Sequence, residues 1–292
     1  MRKIGVAADS HSSITQDTAE ALGIRVLPMP FYIDGACYYE GAGLSREQFF
    51  QKLTAGAKIS TSQPAPETLI EAWDELLEEY EQLLYFPISS GLSGSCSTAQ
   101  VLAEEPAYEG RVFVVDNGRV STPMHRAILD ALELIEEGYS AARIQEILER
   151  DRDKMSVYVA VDTLEFLKRG GRITPAIAAI GTVLNIKPIL KLGTGLPQAF
   201  SKSRGFSRAK EAMIEAIRRD LETVFKPWDE KGHISLLAAG SASSEDTEKW
   251  LEQIRAAFPG REVLYDDLAL AVCCHAGPGA LGVGISCRPD RP

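Results

Sequence analysis

The sequence predicts an α/β protein with a Rossmann-like, parallel-sheet N-terminal domain and a smaller α/β (α+β) C-terminal domain. Three observations predict this fold. Short apolar strands alternate with helical patterns through the first half, and the second half loses that alternation. The length of 292 residues, with 45% apolar composition, is sufficient for two hydrophobic cores. We expect the domains to cover residues 1–154 and 155–292.

The first half begins with an apolar strand over residues 3–8 that ends at Asp9 and Ser10. Residues 25–33 form a second extended segment, which Pro28 and Pro30 make irregular. Pro66 suits the first position of a helix. The apolar residues of that helix recur with helical spacing, and they are Leu69, Ile70, Trp73, Leu76, Leu77 and Tyr80.

A buried strand is predicted over residues 83–88, followed by a serine- and glycine-rich loop over 89–94 and a helix that begins near residues 95–99. Residues 111–115 form the next strand, which ends at Asp116-Asn117-Gly118. Two amphipathic helices, over 124–138 and 141–148, complete the first half, with Gly138 between them.

In the second half, residues 156–161 predict a strand and 163–169 a short helix stopped by Gly170-Gly171. Residues 186–192 and 198–202 predict a hairpin. The remaining elements are helices over 207–225 and 244–258 and strands over 234–239, near Val263 and over 268–274. This order is typical of an α+β domain.

The net charge of −10 argues against nucleic acid as a partner, because phosphate binding needs clustered positive charge. The charge is nevertheless uneven. Residues 161–210 contain nine basic and two acidic side chains. This stretch is either a solvated mixed surface or a site for an anionic ligand or an acidic partner protein.

The five cysteines are an odd number without a C-x-x-C pair, which favours reduced thiols and a cytoplasmic location. The N-terminal apolar stretch is too short for a signal peptide, and no run of about 18 apolar residues occurs. We therefore expect a cytoplasmic protein that is neither exported nor stably inserted into a membrane.

Several hydrogen-bond donors stand beside glycine or proline, where backbone can approach a ligand closely. Ser93 falls at the start of a predicted helix, where a hydroxyl and free N–H groups favour an anion. Thr61 and Ser62 lie just ahead of the Pro66 helix. The alternative for all three hydroxyls is a plain helix cap.

His275 and Arg172 are the other two candidates. His275 follows the predicted strand 268–274 and precedes Gly277-Pro278-Gly279, so its imidazole could donate to a carboxylate or phosphate. Arg172 follows two glycines and could make a two-pronged contact to a carboxylate. A structural histidine and an ordinary ion pair are the alternatives.

Most of the common catalytic and cofactor-binding motifs are not present in the sequence. Residues 91–95 miss the hydrolase pattern G-x-S-x-G at their last position, and the G-x-G-x-x-G match at 277–282 leaves no room for a dinucleotide-binding unit. No phosphate-binding lysine loop or zinc spacing occurs. A hydrolase or acyl transferase stays open as an alternative, with Ser93 activated by His275 and by Asp9 or Asp116.

Motifs spread over nearly the whole chain resemble those of the DegV family. They are Ala8-Asp9-Ser10, Thr61-Ser62-Gln63-Pro64, the loop 89–94, Val115-Asp116, the stretches 164–173 and 184–190, Lys202-Ser203-Arg204-Gly205 and His275 to Gly279. The family's usual Thr-Asp-Ser-Thr opening is Ala8-Asp9-Ser10-His11 here. Members of the family include the fatty-acid-binding subunit of a bacterial fatty acid kinase.

The resemblance implies a long-chain fatty acid between the two domains as the bound ligand. Its carboxylate would meet Thr61 and Ser93, with Ser62, Arg172 and His275 nearby. The implied partner is the catalytic subunit of a fatty acid kinase, to which the carboxylate is presented for acyl-phosphate formation. No catalytic residue, metal or cofactor of the chain itself is expected. Candidate apolar walls are Ile177, Ile180, Val183, Leu184 and residues 268–272.

Overall fold

A computed structural model describes residues 2–178 and 185–291. The elements of the first half, in chain order, are β1 (Arg2–Asp9), α1 (Gln16–Leu22), β2 (Arg25–Leu27), β3 (Phe31–Ile33), β4 (Ala36–Tyr38), α2 (Arg46–Thr54), β5 (Ile59–Thr61), α3 (Pro66–Glu79), β6 (Tyr80–Phe86), α4 (Ser95–Ala103), β7 (Val112–Val114), α5 (Thr122–Glu136) and α6 (Ala141–Arg150).

The elements of the second half are β8 (Met155–Ala160), α7 (Glu165–Arg169), α8 (Pro175–Ala178), β9 (Ile186–Leu192), β10 (Gln198–Arg204), α9 (Gly205–Glu222), α10 (Lys226–Asp229), β11 (Ile234–Gly240), α11 (Ser244–Ala257), β12 (Val263–Asp267), α12 (Leu270–Ala276) and β13 (Leu281–Cys287).

The N-terminal sheet is parallel, with the strand order β2-β1-β6-β7. One face packs on a core that includes Met124, Ile128 and Ile144 of α5 and α6. The other face packs on α3 and α4 around Trp73, which is fully buried. Helices therefore cover both faces of a parallel sheet, and the predicted α/β fold class is confirmed.

A six-stranded mixed sheet dominates the second half, in the order β10-β9-β8-β13-β11-β12. The β11–β12 pair is parallel, and the other neighbours are antiparallel. One face packs on α9 and α11 around Met213 and Trp250. Side chains alternate between the two faces of a strand, so the opposite face is free to line a ligand site.

A small antiparallel sheet, β4-β3-β5, is formed by the part of the first half that lies between β2 and β6 in the chain. Its Phe31 and Ile33 share a hydrophobic cluster with Leu270 and Cys274 of α12. Thr61, the last residue of β5, is thereby brought next to the C-terminal part of the chain.

The strands of the parallel sheet all precede residue 115, and those of the six-stranded sheet all follow residue 154. The division into 1–154 and 155–292 stays an interpretation that agrees with this separation of the sheets. In the two described ranges, 2–178 and 185–291, no helix is long and apolar enough to cross a bilayer.

One predicted extended segment is interrupted, and one predicted strand is wrong. The extended segment 25–33 divides into β2 and β3, which belong to different sheets because Pro28 and Pro30 interrupt the backbone hydrogen bonding. The predicted strand 268–274 is wrong, because the helix α12 begins at Leu270 within this apolar run, and a short apolar run fits a buried helix as well as a strand. The strand β13 was not predicted at all, because Gly282 and Gly284 lower its strand propensity.

Distant side chains supply the capping groups that α12 lacks locally. Its N-cap residue, Ala269, has no side chain that could accept a hydrogen bond. The Glu40 carboxylate accepts one from the Leu270 N–H at 2.6 Å, and the Ser13 hydroxyl accepts one from the Ala269 N–H. Burial raises the pKa of Glu40, and Arg46 nearby opposes that effect. These long-range partners explain why the local sequence did not reveal the helix.

Candidate functional site

A cavity lies between the N-terminal half and the open face of the six-stranded sheet. It has about 980 Å³ of space not occupied by protein atoms, including its opening to solvent. The apolar lining from the six-stranded sheet comprises Val157, Val159, Leu190, Leu192 and Ala239.

Polar side chains that line the cavity come from six separate regions of the chain. They are His11, Thr61, Ser93, Ser121, Arg172 and His275. Four of the five predicted ligand-binding residues are therefore brought to one cavity. The fifth, Ser62, is exposed and is not among the lining residues, and its hydroxyl donates to the Gln63 carbonyl at 3.0 Å.

Thr61 and His275 are in direct contact. The Thr61 Oγ1 atom lies 2.9 Å from His275 Nε2, which joins the end of β5 to the last turn of α12. Nδ1 of the same ring has no hydrogen-bond partner among the described residues. If Nε2 carries the proton and donates to Thr61, the threonine hydroxyl can in turn donate to a ligand.

Two glycines permit the close approach of α7 and α12 that places His275. A Cβ atom on Gly170 would lie 1.9 Å from His275 Nδ1. A Cβ atom on Gly277 would lie 2.4 Å from Cδ2 of Phe166, and this glycine also has a φ of +74°. Gly170, the first of the two glycines that the sequence indicates as a helix stop, therefore also makes room for the imidazole.

The Arg172 side chain is oriented by two backbone carbonyls. Its Nε donates to the Leu92 carbonyl at 3.1 Å, and its Nη1 donates to the Gly170 carbonyl at 2.6 Å. The first bond links the C-terminal half to the loop that carries Ser93. Arg172 lines the cavity, and its guanidinium carries a fixed positive charge that could bind an anion.

Ser93 has both a structural and a cavity-lining position. Its Oγ accepts a hydrogen bond from the Ser95 N–H, the first residue of α4, and lies 2.9 Å from the Ser95 hydroxyl. The same side chain lines the cavity. The cap and the ligand-facing interpretations are therefore compatible with each other.

Two polar lining residues, His11 and Ser121, were not predicted from the sequence. The His11 ring lies 2.9 Å from the Asp9 carboxylate, and the Ser121 N–H donates to the His11 carbonyl. Ser121 has a φ of 58°, which is uncommon for a residue with a side chain. One feature of the sequence could have identified His11: it follows the first strand, at a position where the family's opening motif has threonine.

The predicted apolar walls have different outcomes. Leu268, Ala271 and Val272 line the cavity, and Ile177 belongs to the adjoining hydrophobic cluster. Ile180, Val183 and Leu184 lie outside the described residues.

The arrangement does not assemble a serine-hydrolase triad. Among the described residues, no hydrogen bond joins Ser93 to His275, and His275 Nδ1 has no carboxylate to orient it. The Asp9 carboxylate accepts the N–H groups of His11 and Ile88. Asp116 accepts the N–H and the hydroxyl of Ser90. Both acids are thus used to shape loops, and the geometry favours binding over nucleophilic catalysis.

Burial, with the positive charge of Arg172, lowers the pKa of His275 from 6.5 to about 4. The ring is therefore neutral at neutral pH in the absence of a ligand. Because the unfolded chain binds the proton more readily, the free energy of unfolding should fall as the pH decreases from about 6.5 to about 4.

This pH dependence can be measured on ligand-free protein. We expect the His275 ring signals in NMR to stay constant down to about pH 5. We also expect the acid-induced loss of stability to be smaller in His275→Gln than in the wild type. Titration of the His275 signals near pH 6.5 would contradict the prediction.

The comparisons with known proteins agree with this architecture. The DegV family model, described as "Uncharacterised protein, DegV family", matches residues 3–288. A DegV domain-containing protein from Deinococcus radiodurans is 32% identical over 283 residues, which are 97% of this chain and 98% of that protein.

Two solved structures are also similar. The chain superposes with a TM-score of 0.86 and 36% identity on a fatty-acid-binding DegV family protein from Thermus thermophilus, covering 98% of this chain and 100% of that one. The TM-score is 0.81, with 26% identity, for DegV from Bacillus subtilis, described as a fatty acid binding protein, again covering 98% and 100%.

Proposed function

The chain belongs to the DegV family, and from this premise we propose that it binds a long-chain fatty acid in the cavity between its halves. The observation that carries the proposal is the division of one cavity into two kinds of lining. Thr61, Ser93, Arg172 and His275 supply hydrogen-bond donors, and the sheet supplies an apolar surface. A fatty acid likewise has a polar carboxylate and an apolar chain. Relatives from Thermus thermophilus and Bacillus subtilis are described as binding a fatty acid.

The energetics suit such a ligand. Transfer of each methylene out of water contributes about 0.8 kcal/mol to the free energy of binding. A long acyl chain has many methylenes, and the costs of association are subtracted from the sum of their contributions. A carboxylate leaves water favourably only where donors replace its hydration. In this proposal the Arg172 guanidinium and the Thr61 hydroxyl, which shares a hydrogen bond with His275, replace that hydration.

In this proposal the protein stores the acid without altering it and presents the carboxylate to a fatty acid kinase catalytic subunit for acyl-phosphate formation. The geometry at Ser93 and His275 supports a carrier without turnover of its own. The exposed Lys168, Lys202 and Arg204 offer positive charge for the kinase or the acyl phosphate. All five cysteines are free thiols, which suits the cytoplasm, where we place this exchange.

Native mass spectrometry of protein purified from lipid-replete cells tests the proposal. We expect an added mass of a fatty acid, and extraction should identify the lipid. Thr61→Val should weaken the rebinding of palmitate by about tenfold, because it removes a hydroxyl that is placed to meet the carboxylate.

Thr54→Val is the matched control. Thr54 is exposed on α2, and its hydroxyl donates to the Phe50 carbonyl of its own helix. Palmitate affinity should not change in this variant. Protein that carries no lipid and fails to bind added palmitate would refute the proposed function.

A further inference from the structure

One row of side chains crosses the floor of the cavity from strand to strand. Leu190 pairs with Val159, Val159 pairs with Gly282, and Gly282 pairs with Ala239. All four residues line the cavity. We call them the cross-sheet row. Because the register places them side by side on one face, they form a continuous strip across β9, β8, β13 and β11.

The cross-sheet row separates two ends of the cavity. On one side, Val161 lies in the same hydrophobic cluster as Leu270 and Cys274. These two residues belong to α12, the helix that carries His275. On the other side, Val157 and Leu192 form the next cavity-lining pair on the same face. A ligand whose carboxylate lies at Thr61 and His275 must cross the row before its methyl end can reach Val157 and Leu192.

Within the cross-sheet row, the side chains extend least into the cavity at Gly282. The larger side chains of Leu190 and Val159 lie on one side of it, and Ala239 on the other side contributes a single methyl group. Gly282 has no side chain. A Cβ atom on Gly282 would meet Ala239 O and Tyr158 O at 3.5 Å and Val159 Cβ at 3.9 Å, which are ordinary contacts within the sheet. The fold therefore tolerates a side chain at this position, and the space above it belongs to the cavity.

Gly284, two residues further along β13, has a different reason to be glycine. A Cβ atom there would lie 2.7 Å from Val157 Cγ2 and 3.0 Å from Ser156 O. Packing within the sheet therefore explains Gly284. It does not explain Gly282.

We propose that Gly282 is a specificity-determining residue: its missing side chain lets a long acyl chain cross the sheet. This inference rests on the proposed fatty-acid-binding function. A larger residue at position 282 would close the passage and leave only the part of the cavity near His275. The protein would then discriminate against long chains and keep its affinity for short ones.

The test measures dissociation constants of wild-type protein and Gly282→Val, both freed of lipid, for decanoate, myristate, palmitate and stearate. Each methylene that loses its buried site weakens binding about fourfold. We expect stearate to bind Gly282→Val more than about tenfold more weakly than the wild type, and decanoate to change by less than about twofold. Gly282→Ala should give a smaller change with the same dependence on chain length.

Ala239→Leu is a second variant, which should reproduce the loss for long chains even if Gly282→Val folds poorly. Val283→Ile is the matched control, because Val283 lies on the same strand and faces the core on the opposite side of the sheet. It should leave the ranking of the four fatty acids unchanged.

Equal weakening of all four acids in Gly282→Val, or unchanged stearate affinity in both Gly282→Val and Ala239→Leu, would overturn the inference. Absence of binding of every acid by the wild-type protein would instead overturn the proposed function. The two failures are therefore distinguishable.

Discussion

Arg172→Met is expected to weaken fatty acid binding about a hundredfold, which corresponds to about 3 kcal/mol. The guanidinium provides a fixed positive charge in the cavity lining, beside a histidine that is neutral at neutral pH. Its replacement would leave a carboxylate with neutral donors in a partly desolvated site. Methionine has a similar length, so much of the packing is kept. Isothermal titration of lipid-free protein with palmitate measures the effect.

Arg169→Met is the control for this change. Arg169 lies on the preceding helix, α7, is exposed, and pairs with Glu165 at 2.9 Å. The Arg169→Met substitution removes the same charge from the same region, and it should alter palmitate affinity by less than about twofold. Equal losses in the two variants would show that Arg172 acts through the general field of the basic stretch, and would contradict a direct role.

The sequence predicts best the elements whose patterns are local. The helix at Pro66–Glu79 begins at the proline that indicated it, and the hairpin of β9 and β10 joins the two strands expected on either side of Gly193–Gly195. Tyr80 continued the helical spacing, yet it is the first residue of β6. The helical period cannot reveal where the backbone turns into the sheet.

Long-range partners explain what could not be predicted. α12 is a helix because Glu40 and Ser13 cap it from far away in the chain. The role of Gly170 in making room for the imidazole depends on the packing of α7 against α12, which no local pattern contains. His275 could be selected as a candidate, but its partner Thr61, 214 positions away, follows only from the fold.

Local patterns predicted four of the five candidate site residues correctly as cavity-lining residues, and the fifth depends on side-chain orientation. Thr61, Ser93, Arg172 and His275 stand out because each is a donor beside glycine, proline or a helix start, and all four reach the cavity. Ser62 has the same local pattern, and its side chain points elsewhere. A hydroxyl pair cannot both face a site when the two residues are adjacent in an extended segment, because consecutive side chains point to opposite sides.

Arg119→Met should lower the stability of the protein by about 3 kcal/mol and the melting temperature by about 5 °C. Arg119 is buried, with 4% of its surface exposed. Its Nη1 donates to the Ser286 hydroxyl at 2.8 Å, and its Nη2 donates to the Asp151 carbonyl at 3.3 Å. The first of these bonds joins the loop before α5 to β13. Nη1 also donates to the Pro123 carbonyl at 3.5 Å, so methionine would leave three acceptors without their donor and the buried Asp130 carboxyl without a nearby positive charge.

The same substitution should reach the ligand site. Val120 and Ser121, the next two residues, line the cavity, so a loop that loses its anchor on β13 should also bind palmitate more weakly. Arg111→Met is the control, because Arg111 is exposed and its guanidinium donates to the Ala107 carbonyl at 3.5 Å. Calorimetry of both variants in the same lipid-loaded state measures the difference. A melting temperature of Arg119→Met equal to that of Arg111→Met would show that the buried guanidinium contributes no net stability, as occurs when the cost of desolvating a charge equals the gain from its hydrogen bonds.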